Sequence, residues 1–91
     1  MSKYKVFITK DVLKFLKSVD KNITERILNK IKQLENFREY HLDIVPIYGE
    51  ENTYRLRIGK YRVLFYVNED KKEIIVFKID VRGRIYKNYK V

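Results

Sequence analysis

The stretch Thr53-Tyr54-Arg55-Leu56-Arg57-Ile58-Gly59-Lys60-Tyr61-Arg62-Val63-Leu64-Phe65 decides how this chain folds. Residues 54–58 alternate apolar and charged side chains, the pattern of a strand with one face buried. Gly59-Lys60 fits a two-residue hairpin turn with glycine first, and residues 61–67 supply the returning strand. With that turn, Ile58 faces Tyr61, Arg57 faces Arg62, Leu56 faces Val63 and Arg55 faces Leu64. Alternation then puts Arg55, Arg57 and Arg62 on one face. Two arginines directly opposite repel by roughly 3 kcal/mol at about 5 Å and an effective dielectric of about 20, and by about 1 kcal/mol in water. No acidic residue occurs between Glu51 and Glu69 to offset this. The pair reads as an anion site whose ligand compensates the repulsion.

Downstream, residues 68–72 make a polar turn and residues 73–81 a last long strand. Lys78, Asp80 and Arg82 share parity there, so Arg82 reaches the arginine face, and Tyr86 and Tyr89 follow it, suited to stacking on a base. Residues 82–91 form a turn of helix or an edge strand. Upstream, residues 4–8 are aromatic and β-branched and read as a first strand. Thr9 or Asp11 caps a short helix with Val12, Leu13, Phe15, Leu16 and Val19 on its apolar side. Asp20 or Asn22 starts a second, Asn22 and Glu25 having the spacing of a capping box. Its stripe is Ile23, Ile27, Ile31 and Leu34, widened by Leu28, while Arg26, Lys30 and Lys32 read as a solvated face. Residues 42–45 are either a short edge strand or a packed loop. The order β-α-α-β-β-β predicts an α+β fold, an antiparallel sheet of about four strands with two N-terminal helices on one face, in a single domain spanning residues 1–91. Phe65 and Phe77 are assigned to the core, His41 to a structural or exposed position, and Asp80 to an ion pair with Arg82 or Lys78.

Composition narrows the chemistry. The chain has 91 residues, no Cys and one His. Disulfides, thiol nucleophiles and paired-histidine acid–base catalysis are excluded, and neither a metal nor a cofactor is expected. No apolar run is long enough for a signal peptide or a membrane span, so a cytoplasmic protein without membrane contact is expected. Lys and Arg number 21 against 12 Asp and Glu, a net charge of +9. Such a surface attracts nucleic acid, an acidic membrane or an acidic protein. Five of the seven arginines (Arg55, Arg57, Arg62, Arg82, Arg84) lie in the second half of the chain, and arginine is suited to bidentate phosphate contacts. The same charge suits a short acidic, amphipathic protein partner offering a helix or an added strand.

The hairpin run at residues 53–65, the helix pair before it and the ending Val81-Arg82-Gly83-Arg84-Ile85-Tyr86-Lys87 resemble the RelE/ParE toxin superfamily over nearly the whole chain. The resemblance implies the toxin of a type II toxin–antitoxin pair, held in a heteromeric complex by a short acidic RelB-like antitoxin. In the RelE branch it implies a ribosome-dependent endoribonuclease cutting mRNA in the ribosomal A site. There the 2′-hydroxyl attacks the adjacent phosphate, leaving a 2′,3′-cyclic phosphate and a 5′-hydroxyl. Arg62 and Arg82 match the family's phosphate-binding arginines, and Tyr86 its base-stacking tyrosine. Arg55 and Arg57 fall where the family carries lysines. All five are candidate catalytic residues, with Lys60, Lys78, Arg84 and Tyr89 as RNA contacts. A guanidinium does not give up its proton, so Arg57 acts electrostatically and Tyr86, Lys60, water or the ribosome handles the proton. The alternatives are a ParE-like DNA gyrase inhibitor that cleaves nothing, and an inactive RNA-binding remnant.

Overall fold

Short polar side chains punctuate the start of the chain. In the computed structural model, which describes residues 3–84, strand β1 (Lys5–Ile8) runs into helix α1 (Lys10–Ser18) through Thr9. Thr9 Oγ1 accepts the Val12 amide at 3.4 Å as N-cap. Asp20 caps α2 (Lys21–Gln33), its carboxylate accepting the Asn22 amide at 2.7 Å. Asn22 therefore lies within the helix, and the expected Asn22–Glu25 capping box does not form. Asp20 already satisfies the free amide, which an N-cap side chain can do from one position only. The helices bury Val12, Leu16, Ile27 and Ile31 against the sheet. Leu13 and Leu28 stay 42% and 41% exposed, so both apolar stripes are narrower than expected. Thr24 Oγ1 donates to the Leu16 carbonyl at 2.6 Å and ties the helices together.

After a 3-10 turn at Leu34–Asn36 come β2 (Ile44–Pro46), β3 (Thr53–Ile58), β4 (Tyr61–Asn68) and β5 (Glu73–Val81). Among the described residues these join β1 in a five-stranded sheet of order β1-β5-β4-β3-β2. Residues 44–46 thus form an edge strand, antiparallel to β3. The sheet is mixed rather than wholly antiparallel, because β1 pairs with β5 in parallel. The two helices carry the chain back across the sheet, and β1 fills the edge that the β3–β4–β5 meander leaves open.

The hairpin has the expected register, with Arg57 opposite Arg62 and Ile58 opposite Tyr61. Gly59 takes φ +58 at the first turn position, which glycine adopts without strain. The last strand departs from simple alternation. Leu64 pairs with Lys78 but Phe65 with Val76, so Phe77 is a bulged extra residue. The bulge lets Ile74 and Val76 before it, and Ile79 after it, all join the helix-facing core, since an inserted residue resets which face follows. Phe77 is thereby displaced from the main core expected for it. It packs half-buried with Ile47 and Leu64 in a separate small cluster. Phe65 is in the core as expected, its ring 5.5 Å from Tyr54 and 6.1 Å from Phe37.

At the β4–β5 turn, Tyr4 donates to Glu69 Oε1 at 2.7 Å and Lys72 Nζ donates to it at 3.2 Å, while Arg38 pairs with Oε2. The Tyr4 hydrogen bond, then those from Arg38 and Lys72, hold the Glu69 carboxyl down at about 2. A depressed carboxylate adds stability above its ordinary range and loses it as pH falls through the folded value. Glu69→Gln is therefore expected to melt below the parent near neutral pH, with the gap closing between pH 4.5 and about 2. Thermal melts across that range check this, and a gap independent of pH would contradict it.

Candidate functional site

The end of the sheet at the β3–β4 turn gathers cations from separate strands. Arg57 faces Arg62, and Arg62 faces Asp80, on the side of the sheet away from the helices. Arg55 and Lys78, both half-buried, flank Leu64 further along the same face. Arg62 is only 5% exposed. Its Nη1 donates to the carbonyls of Gly59 at 2.8 Å and Tyr61 at 3.0 Å, folding the guanidinium back over the turn. Its Nε is buried and has no hydrogen-bond partner among the described residues. Asp80 lies across from it, yet one Asp80 oxygen accepts the Val81 amide at 2.7 Å and Arg84 Nε at 3.1 Å. A buried cation without a bonded carboxylate is costly unless something else compensates it.

Arg57 is different. Its Nε pairs with Asp43 Oδ2 at 2.5 Å, and its amide donates to the Asp43 carbonyl at 2.9 Å. The expectation that this arginine pair lacks a nearby carboxylate is corrected, because Asp43 comes from the segment leading into β2, outside the acid-free stretch. The Arg57–Arg62 repulsion is balanced on the Arg57 side by Asp43, while Arg62 has no bonded acid among the described residues. Asp80 pairs with Arg84 rather than with Arg82 or Lys78, and Arg84, expected as an RNA contact, stays largely exposed beside it.

Arg82 is exposed and forms no ion pair among the described residues. Its amide donates to the Lys60 carbonyl at 2.8 Å, which brings it beside the turn. Lys60 Nζ lies 5.5 Å from the Tyr61 ring centre. Tyr86 and Tyr89 fall outside the described residues. The structure thus brings Lys60, Arg62 and Arg82 together around one turn and sets Arg55 and Lys78 further down the face. Arg26 was missed: expected on the solvated face of α2, it reaches the turn, its Nη2 standing 3.3 Å from where a Cβ of residue 59 would be. Neither Asp43 nor Arg26 carries a local signal, since both contacts are long-range. A cleft of about 430 Å³ lined by Tyr4, Asn36, Arg38, Glu39, Glu69 and Lys72 lies at the opposite end of β4, where the charges largely neutralise one another.

A family profile described as ParE toxin of type II toxin–antitoxin system, parDE, matches residues 6–86. The chain is 38% identical to toxin RelE3 of Methanocaldococcus jannaschii over 85 residues, 90% of this chain and 94% of that protein. It superposes on the archaeal RelE–RelB complex from Pyrococcus horikoshii OT3 with a TM-score of 0.72 and 35% identity, covering 92% of this chain and 99% of that one. The RelB–RelE antitoxin–toxin complex from Methanococcus jannaschii gives a TM-score of 0.72 and 35% identity over 89% and 95% of the two chains.

Proposed function

The chain belongs to the RelE/ParE family of toxins of type II toxin–antitoxin systems, and from that premise we propose that it is a cytoplasmic, ribosome-dependent endoribonuclease. A short acidic RelB-like antitoxin neutralises it. One observation carries the nuclease assignment: Arg62 is buried at the hairpin turn, bonded to carbonyls and to no carboxylate among the described residues. A phosphodiester supplies the missing anion. In the reaction the 2′-oxygen forms a bond to phosphorus, the bond to the 5′-oxygen breaks, the 2′-OH proton leaves and the 5′-oxygen gains one. Arg62 and Arg82 stabilise the charge that builds on the phosphorane oxygens. Arg55 and Arg57 contribute field rather than proton transfer, for a guanidinium stays protonated. Tyr86 or water takes the proton, and the ribosome holds the message in line, contributing the entropic part of the barrier.

A second reading, a ParE-like inhibitor of DNA gyrase that cleaves nothing, is favoured by the family profile and by arginine at positions 55 and 57. Translation with purified ribosomes and message separates the two. Codon-dependent cuts ending in 2′,3′-cyclic phosphate support the nuclease, whereas intact message with inhibited DNA supercoiling supports the inhibitor. The Asp43–Arg57 pair yields a further expectation. Asp43→Ala frees a cation next to the site and strengthens binding of single-stranded RNA by about 2- to 5-fold at low salt, at a stability cost of about 1 kcal/mol or less. Anisotropy titrations check this, and adding Arg57→Ala to Asp43→Ala is expected to abolish the gain.

A further inference from the structure

Gly59 separates two guanidinium groups that arrive from different layers of the molecule. Arg62 reaches its carbonyl from the open face of the sheet, Nη1 to O at 2.8 Å. Arg26 approaches from helix α2 on the other face, its Nη2 3.3 Å from where a Cβ of residue 59 would stand. Arg26 is exposed and has no hydrogen bond or ion pair among the described residues. A cation there adds charge to a turn that already carries Arg62, Lys60 and Arg82, and no carboxylate bonds it among the described residues.

We propose that Arg26 is a second phosphate-binding residue, gripping the RNA strand on the helix side of the hairpin turn while Arg62 holds the reacting phosphate on the sheet side. This rests on the nuclease reading and extends it: the strand bends around the turn at Gly59 instead of lying only along the open face. Arginine suits the task, since its planar fork offers paired donors to phosphate oxygens. Glycine suits the position for its positive φ, and the absent Cβ leaves Arg26 a few tenths of an ångström more room. The chemical class recognised is a single-stranded polyribonucleotide backbone, without base preference at this contact.

The test uses the full chain and a short 2′-O-methyl RNA oligonucleotide, which cannot be cut by its own 2′-oxygen. Affinity is followed by anisotropy over a KCl series for the parent, Arg26→Ala, Arg26→Lys, Lys32→Ala and Arg62→Ala. Arg26→Ala is expected to weaken binding roughly tenfold at low salt and to reduce the log–log salt slope by about 0.7, one phosphate contact on a single strand. Arg26→Lys is expected to restore the slope. Lys32→Ala removes the same charge from another side of α2 and is expected to change far less. If Arg26→Ala matches Lys32→Ala while Arg62→Ala binds weakly, Arg26 is no phosphate ligand and the nuclease reading stands. If the parent chain cuts no message on programmed ribosomes, the nuclease reading itself falls, whatever these affinities are. A lowered melting temperature for Arg26→Ala, with weak binding that Arg26→Lys does not rescue, assigns Arg26 to support of the turn and overturns the proposal.

Discussion

Arg62→Ala is expected to lower the rate of message cleavage by about 10²- to 10³-fold, the effect of removing one donor aimed at developing negative charge. The side chain is 5% exposed and anchored to the Gly59 and Tyr61 carbonyls. It is thus held in one orientation at the turn before substrate arrives. The fold is expected to tolerate the change. Two hydrogen bonds to carbonyls are lost, each worth about 1 kcal/mol net, while a buried cation and its repulsion from Arg57 are removed as well. A shift in melting temperature of less than about 10 °C follows for a domain of this size. Arg62→Lys keeps the charge but not the fork, so it is expected to retain only part of the activity. Single-turnover cleavage on programmed ribosomes, read beside a thermal melt, checks all three. Undiminished cutting by a folded Arg62→Ala protein removes the site from this turn.

Phe65→Ala is expected to be the most destabilising single truncation in the sheet, at about 3–5 kcal/mol. The residue is fully buried in the middle strand, its ring stacked on Tyr54 and edge-on to Phe37. Emptying that position leaves a cavity that β3, β5 and the 3-10 turn are too constrained to fill. Small domains hold only about 5–15 kcal/mol in total, so a drop in melting temperature of roughly 15 °C or more is expected. Leu64, next in sequence but on the opposite face, belongs to the small cluster with Ile47 and Phe77. Leu64→Ala is expected to cost less, about 2–3 kcal/mol. Urea denaturation of both variants measures the difference. Equal losses would mean that the two faces share one core, contrary to the packing described.

The arginines of the hairpin were legible because everything that sets them is local. A glycine-first turn and a strict period of two place Arg57 against Arg62 whatever the rest of the chain does, and the parity of Lys78, Asp80 and Arg82 pointed Arg82 to the same face, a placement the family resemblance matched. The helix caps were narrowed to two candidates each, Thr9 or Asp11 and Asp20 or Asn22, because a cap acts within three residues of itself, and the structure selects Thr9 and Asp20. Local pattern fails where a contact is chosen by packing. The unbroken apolar run at residues 74–77 does not say which residue is the extra one, and it is the bulge that moves Phe77 out of the main core and aligns Ile79 with Val76.

The amino-acid order alone therefore determined the hairpin register, the two amphipathic helices and the arginine face, since backbone alternation, turn chemistry and helical period act between near neighbours. Only the tertiary structure decided that β1 lies parallel on β5, that Asp43 neutralises Arg57, and that Arg26 meets the turn through the gap at Gly59. Those three are encounters between distant segments. They are selected by how helices and edge strands pack on a finished sheet, and no spacing along the chain encodes them.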